Sequence, residues 1–193
     1  PKSVVVHFEG VSNGTDIATG QKQYQVINSK KFYEKWKDIL EVEHFDNGQH
    51  VFQARDRSMK KRTVLLIDHY VPMYDKDAGS RTIYQYIQLL VKMGCNVKFI
   101  GDNFYPHQPY TQQLEQMGVE ILYGLSYQKN WKGWLHKNGQ YLDVVFINRP
   151  HIAQHYIDAV KEYTEAKIIY NVCDLHFVRE EREYRITGNA ERL

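Results

Sequence analysis

The chain of 193 residues is poor in cysteine, with Cys95 and Cys173 alone, and carries only five prolines. Two thiols are too few for a disulfide framework and too few for a structural zinc site without histidine partners, so a reducing, cytoplasmic setting fits best. No apolar run approaches the roughly 18 residues of a membrane span. The opening Pro1-Lys2-Ser3-Val4-Val5-Val6 has too short an apolar stretch for a secretory signal. A surplus of one charge sign is missing as well: 25 Lys and Arg stand against 23 Asp and Glu, a formal charge of +2 with no basic tail. Nucleic-acid binding needs a concentrated basic footprint, so no nucleic-acid partner is expected. The chain also lacks G-x-G-x-x-G and the Walker lysine, which removes most support for dinucleotide and P-loop readings.

What is present is ordinary globular usage, 42% apolar and 25% charged, together with 15 tyrosines. Disordered, collagenous and coiled-coil classes are excluded by that composition. The length suits one large domain, or one ordinary domain plus an appendage. Rings with an apolar body and a polar tip serve cores, sugar platforms and protein interfaces alike, so their number alone does not choose among these.

From Arg62 onward the pattern is regular. Thr63-Val64-Leu65-Leu66-Ile67 is a short apolar run ending at Asp68, which predicts a buried strand. Ile83, Tyr86, Ile87, Leu90 and Val91 then recur at helical spacing up to a stop at Met93-Gly94. Asn96 to Gly101 predicts a second strand, Tyr110 to Met117 a helix and Val119 to Tyr123 a third strand. Trp131, Trp134 and Leu135 fall on a short helix, and their spacing suits a core better than a sugar platform. Tyr141 to Ile147 predicts a fourth strand, Ile152 to Tyr163 a helix, Lys167 to Val172 a fifth strand, and a charged helix starts near Leu175. Five strands alternating with helices imply right-handed crossovers and a mostly parallel sheet covered on both faces, a Rossmann-like doubly wound α/β domain over residues 61–193.

The first 60 residues do not share that period. Val4 to Phe8 is strand-like, Gly10 to Gly20 a loop, Phe32 to Leu40 a short helix, and Asp46-Asn47-Gly48 a turn before Val51-Phe52-Gln53. They make an irregular α+β lead with too few elements for a good core of its own. The missing initial Met and the strand-like start point to a piece of a longer polypeptide.

Open parallel sheets bind ligands outside the carboxyl ends of their strands, near the reversal in strand order. Four loops fall there, Asp68 to Ser80, Gly101 to Pro109, Asn148 to His151 and Val172 to His176, and candidate chemistry lies in or beside the first, third and fourth. In Asp68 to Arg81, Gly79 and Ser80 open a helix whose N-terminal amides suit a phosphate, with Arg81 as a clamp; alternatively Gly79-Ser80 is a turn capped by Asp77 or Ser80. Asp75-Lys76-Asp77 has the D-x-D spacing of a metal and sugar-nucleotide site, but without an apolar strand directly before it. In Asn148-Arg149-Pro150-His151, Arg149 can meet an anion and His151 can act as acid or base; the other reading has Pro150 starting a helix and Arg149 paired with a nearby acid. In Asn171 to His176, Asp174 and His176 flank a helix start, either as an acid/base pair or as a cap and a half-buried imidazole, with Cys173 a packing residue.

A family resemblance rests on these stretches. Thr63 to Tyr70 with Val71-Pro72, Gly79-Ser80-Arg81, Tyr110-Thr111, Gly118-Val119-Glu120, Asp143-Val144-Val145, Arg149-Pro150-His151, Ile168-Ile169-Tyr170 and Asp174-Leu175-His176 resemble the N-terminal half of GT-B glycosyltransferases of the large retaining family 4. Val6 to Asp16, with Lys22, Tyr24-Gln25, Asn28, Phe32 and Lys35-Trp36, is similar to the closing segment of GT-A glycosyltransferases of family 2. Together they imply an excerpt of a multidomain bacterial enzyme of surface-polysaccharide synthesis, with residues 1–60 the tail of one transferase domain. The implied partners are a nucleotide-sugar donor, a glycan or lipid-linked glycan acceptor and flanking transferase domains. The implied setting is the cytoplasm, with peripheral contact at the inner membrane left open.

The resemblance implies roles too. Gly79, Ser80 and Arg81 would face the donor phosphates, with Arg149 and His151 nearby, and His176 with Asp174 would sit at the reacting sugar. No cofactor is implied for residues 61–193; a divalent metal is implied for the preceding domain, with His7 completing its site. One glycine instead of adjacent ones in the Gly79 loop departs from the family pattern, and the fragment alone is expected to be inactive. The rival class is a non-catalytic Rossmann-like nucleotide-binding or interaction module. A receiver version of it is disfavoured, because Asn148 and Arg149 stand where a phospho-acceptor aspartate belongs.

Overall fold

The computed structural model describes residues 20–46, 48–54, 57–172 and 176–188, with Val6 and Asp16 as isolated positions. The chain divides into two compact units, residues 1–60 and 61–193.

In the first unit a single 3-10 turn, Gly20–Lys22, leads into helix α1, Gln23–Glu43. The helix is far longer than the Phe32–Leu40 segment expected from the sequence. Apolar periodicity underestimates it because its apolar residues do not keep to one stripe, while no Gly or Pro interrupts it. None of its residues is buried. Its side chains mostly pair along the helix: Phe32 and Trp36 rings lie 6.5 Å apart, and the Tyr33 hydroxyl donates to Glu41 at 2.8 Å. Val51-Phe52-Gln53 forms a turn, closed by Gln53 and Ala54 amides donating to the His50 carbonyl. The segment Val6 to Asp16, His7 included, lies outside the described residues apart from its two ends.

The second unit is the Rossmann-like α/β domain read from the sequence. Strands β1 (Thr63–Asp68), β2 (Asn96–Gly101), β3 (Glu120–Leu122), β4 (Val144–Asn148) and β5 (Lys167–Asn171) form one sheet in the order β3-β2-β1-β4-β5, and every pairing is parallel. The connecting helices are α2 (Ala78–Lys92), α3 (Tyr110–Gln116), α4 (Leu125–Asn138) and α5 (Pro150–Tyr163), and α6 (His176–Thr187) follows β5.

Strand alternation divides the core between two faces. Val64 and Leu66 of β1 pack with Ile83 and Ile87 of α2 and Leu114 of α3. Leu65 and Ile67 pack on the opposite face with Leu135 of α4 and Ile152, Tyr156 and Val160 of α5. With helices on both sides the sheet is doubly wound, and β1, at its centre, is buried along its whole length.

The chain leaves β1 toward β2 in one direction and reaches β4 on its other side, so the order reverses between β1 and β4. That reversal sets where a ligand cleft opens. On the other side of β1 the backbone packs closely: a Cβ on Gly101 would lie 3.1 Å from the Tyr70 Cα and the Val71 nitrogen, so a larger residue there would press the β1 and β2 exits apart. Among the described residues no helix is long and apolar enough to cross a membrane.

Candidate functional site

The carboxyl ends of β1 and β4 meet around Asp68, the last residue of β1, which is 2% exposed. Its Oδ1 accepts from the His69 backbone N–H at 2.7 Å and from Arg149 Nε at 2.7 Å. The pairing has a backbone origin. Asn148, fully buried at the end of β4, donates from Nδ2 to the Ile67 carbonyl and accepts at Oδ1 from Asn171, so its side chain bridges the three strand ends. Arg149 follows with φ +70°, a left-handed conformation that costs a non-glycine residue about 1–3 kcal/mol. Its amide on the Asn171 carbonyl and Pro150 in the first turn of α5 hold that conformation. The side chain is thereby turned back over β1, 5.8 Å from the Tyr70 ring centre.

Arg149 reaches the start of α2 as well. A Cβ on Gly79 would lie 3.3 Å from Arg149 Nη2 and 3.2 Å from Asp77 Oδ1, so a larger residue there would press on both. Asp77 caps α2, accepting from the Ser80 amide at 2.7 Å and the Ser80 hydroxyl at 2.6 Å, with the Tyr70 hydroxyl donating at 3.1 Å. Burial pushes Asp77 up, but the hydrogen bonds from Ser80 and Tyr70 and the charge of Arg149 outweigh it and hold its carboxyl below the usual range. The helix start is therefore occupied by a carboxylate of the chain itself, and Arg149 is paired with Asp68. An incoming anion has to compete with both.

Among the described residues, four imidazoles rim this edge. His151 Nε2 and His69 Nδ1 are 3.3 Å apart with rings crossed at 76°. Burial, then the neighbouring His69 and Arg149, push His151 below its ordinary value, so it is neutral near pH 7. His107 Nε2 meets Asn103 at 2.9 Å and its ring stands against Tyr70 and Tyr105. His155, one helical turn beyond His151, pairs through Nδ1 with Asp102 at 2.9 Å.

Of the residues expected to act, Gly79, Ser80, Arg149 and His151 come together here. Arg81 does not take the clamp position: it is exposed and its Nε donates to the Tyr74 carbonyl at 3.3 Å, while Arg149 supplies the guanidinium beside Gly79. The paired-acid reading of Arg149 and the Asp77-cap reading of Gly79-Ser80 are both realised. The D-x-D carboxylates diverge, Asp77 to its cap and Asp75 to the Tyr110 hydroxyl at 2.5 Å. That hydrogen bond lowers Asp75 and pushes Tyr110 up to about 12. No group of three or more His, Cys, Asp or Glu among the described residues can hold a metal ion. Cys173, Asp174 and His7 lie outside the described residues; His176 begins α6, and its side chain lies outside them too.

Asp68, His69, Tyr70, Asp102 and His155 escaped the sequence reading. The signal for three of them was available, in the four-residue spacing of His151 and His155 on one helix and in Asp68 and Asp102, the carboxylates that directly end β1 and follow β2. Comparison of the chain with protein-family models, with curated proteins and with solved structures gives no match.

Proposed function

We propose that the chain is the acceptor-holding half of a glycosyltransferase, which binds a glycan at the β1/β4 cleft while a nucleotide-sugar is presented from a second domain. One observation carries the reading: a strained Arg149, buried Asp68 and the His69–His151 pair converge on the reversal of strand order, where parallel sheets hold ligands. Carboxylate, imidazole and tyrosine hydroxyl groups are suited to the hydroxyls of a sugar, and the rings of Tyr70, Tyr105 and His107 offer apolar faces beside them.

The sequence resemblance to GT-B enzymes of bacterial surface-polysaccharide synthesis favours the same reading, and with it a role for Gly79 and Ser80 near the donor phosphates. Because Asp77 already caps α2, the share of this chain in phosphate binding is small and rests on Arg149, which can exchange Asp68 for a leaving diphosphate.

The test is titration of this chain with glycan fragments and with nucleotide-sugars, followed by NMR of the histidine rings. Glycans are expected to shift His69, His107 and His151, with Arg149→Ala weakening binding at least tenfold. Binding of free nucleotides with no response to any glycan would replace this reading by the nucleotide-binding module; no response to either would remove both.

A further inference from the structure

In the loop that leaves β2, Phe104 takes a left-handed backbone conformation with φ +49°. Its amide donates to the Gly101 carbonyl at 2.8 Å, its carbonyl accepts from the Gly124 amide at 2.9 Å, and its ring is buried in the core. The residue after it is thrown outward: Tyr105 is 61% exposed, so at least one face of its ring is open to solvent. That ring is nevertheless held in place. The Tyr105 amide donates to Asn103 Oδ1 at 3.1 Å, and Pro106 confines the Tyr105 backbone to the extended region. The His107 ring stands against it at 4.9 Å and 70°, and His107 meets Tyr70 at 6.0 Å, which lies beside Arg149. A line of rings thus runs from Arg149, at the strand reversal, to Tyr105 at the rim. Asn103 also sets the histidine tautomer. Because its Oδ1 takes the Tyr105 amide, its Nδ2 is the atom 2.9 Å from His107 Nε2; that nitrogen must accept, and the ring proton sits on Nδ1. Among the described residues this N–H has no partner.

We propose that Tyr105 is the platform on which the acceptor sugar stacks, and that it selects a β-linked pyranose of gluco or galacto configuration. The inference rests on the glycan-holding reading above and names its substrate class. The core does not use this ring, yet the loop fixes it, and strained backbone of this kind gathers at ligand clamps. The face of an aromatic ring carries partial negative charge and attracts the weakly positive C–H bonds of a sugar. Pyranoses of those two configurations with an equatorial anomeric oxygen carry only hydrogens axially on one face, which is therefore flat and apolar. In the α-anomer an axial oxygen projects from that same face and lifts the sugar off the ring. The His107 Nδ1–H is a donor for a hydroxyl of the stacked sugar. Since Asn103 and Pro106 order the loop beforehand, stacking costs little further entropy.

The experiment is saturation-transfer NMR on this chain with methyl β-D-glucopyranoside, methyl β-D-galactopyranoside, methyl α-D-glucopyranoside and UDP. For wild type, both β-glycosides are expected to show their strongest signals at the axial protons of one face, and the α-glycoside to bind about tenfold more weakly. Tyr105→Ala is expected to weaken β-glycoside binding about tenfold. Tyr105→Leu, which keeps apolar bulk without a ring, is expected to do the same, and Tyr105→Phe to bind as wild type does. Thermal melting and UDP binding are expected to be unchanged in all three variants. Wild-type affinity for β-glycosides in Tyr105→Ala or Tyr105→Leu, or equal binding of the two anomers, overturns the platform and leaves the glycan-holding reading standing. Loss of UDP rather than glycoside binding in these variants overturns it in favour of a stacked nucleobase. A wild-type chain that responds to no glycoside and to no larger glycan fragment overturns both.

Discussion

Helices α1 and α5 carry comparable apolar residues and treat them in opposite ways. In α5, Ile152, Tyr156, Ala159 and Val160 fall at i, i+4, i+7 and i+8 and are buried against the sheet. In α1, Tyr24, Val26, Ile27, Phe32, Tyr33 and Trp36 are all exposed, and the helix is held by contacts along its own surface. Apolar content therefore does not place a residue in a core; a stripe facing a sheet does. Several of the 15 tyrosines follow the same division, with Tyr156 in the core and Tyr24 and Tyr33 in solvent.

The largest contrast is expected from ring deletions. Tyr156→Ala should cost about 3–5 kcal/mol in urea unfolding, as a large cavity opens between α5 and β4, whereas Phe32→Ala should stay within about 0.5 kcal/mol. Equal losses would break the distinction. The second contrast concerns charge. Arg149→Ala leaves Asp68 buried without its partner and should cost about 2–3 kcal/mol, while Lys37→Ala, which removes an exposed 3.9 Å pair with Glu41 on α1, should cost under about 0.5 kcal/mol. A smaller effect is expected at the start of α2, where Asp77→Ala removes the cap and should cost about 1 kcal/mol.

The smallest effects are changes with pH, and their signs differ in window only. Asp77 is depressed in the folded state, so its contribution is present above the unfolded carboxylate value of about 3.9 and disappears as pH falls through the lower folded value. His151 is depressed too; the unfolded chain takes up its proton first, so stability falls as pH drops below about 6.5. Urea midpoints should decline slightly from pH 7 to 5.5, and His151→Gln should remove part of that slope. An unchanged slope in that variant would show that His151 is not held neutral by its neighbours.

These contrasts also mark what the sequence makes legible. The sheet was readable because each strand is a short apolar run closed by a polar residue or glycine, a local signal that the fold uses without modification. In the first unit only the Phe32–Leu40 part of α1 was readable, since the apolar residues of the whole helix do not keep to one stripe. Gly79, Ser80, Arg149 and His151 could be placed near one another from the sequence because each lies in a segment that follows a strand. Partners such as Asp68 with Arg149, 81 positions apart, exist only once the crossovers bring β1 and β4 side by side. Arg81 was preferred for the clamp on proximity in sequence to Gly79, and lost to an arginine whose left-handed backbone turns it back across the sheet.

The central place of β1 also orders events during synthesis. Its first neighbour, β2, follows within one helix, but the Val64 partner on β4 is Val144, 80 residues later. At about 5–20 residues per second that strand emerges roughly 4–16 s after β1. For that interval β1 and β2 present an open parallel edge with half of their apolar side chains uncovered. Asp68 waits as long for Arg149, so the cleft cannot be assembled until β4 has left the ribosome.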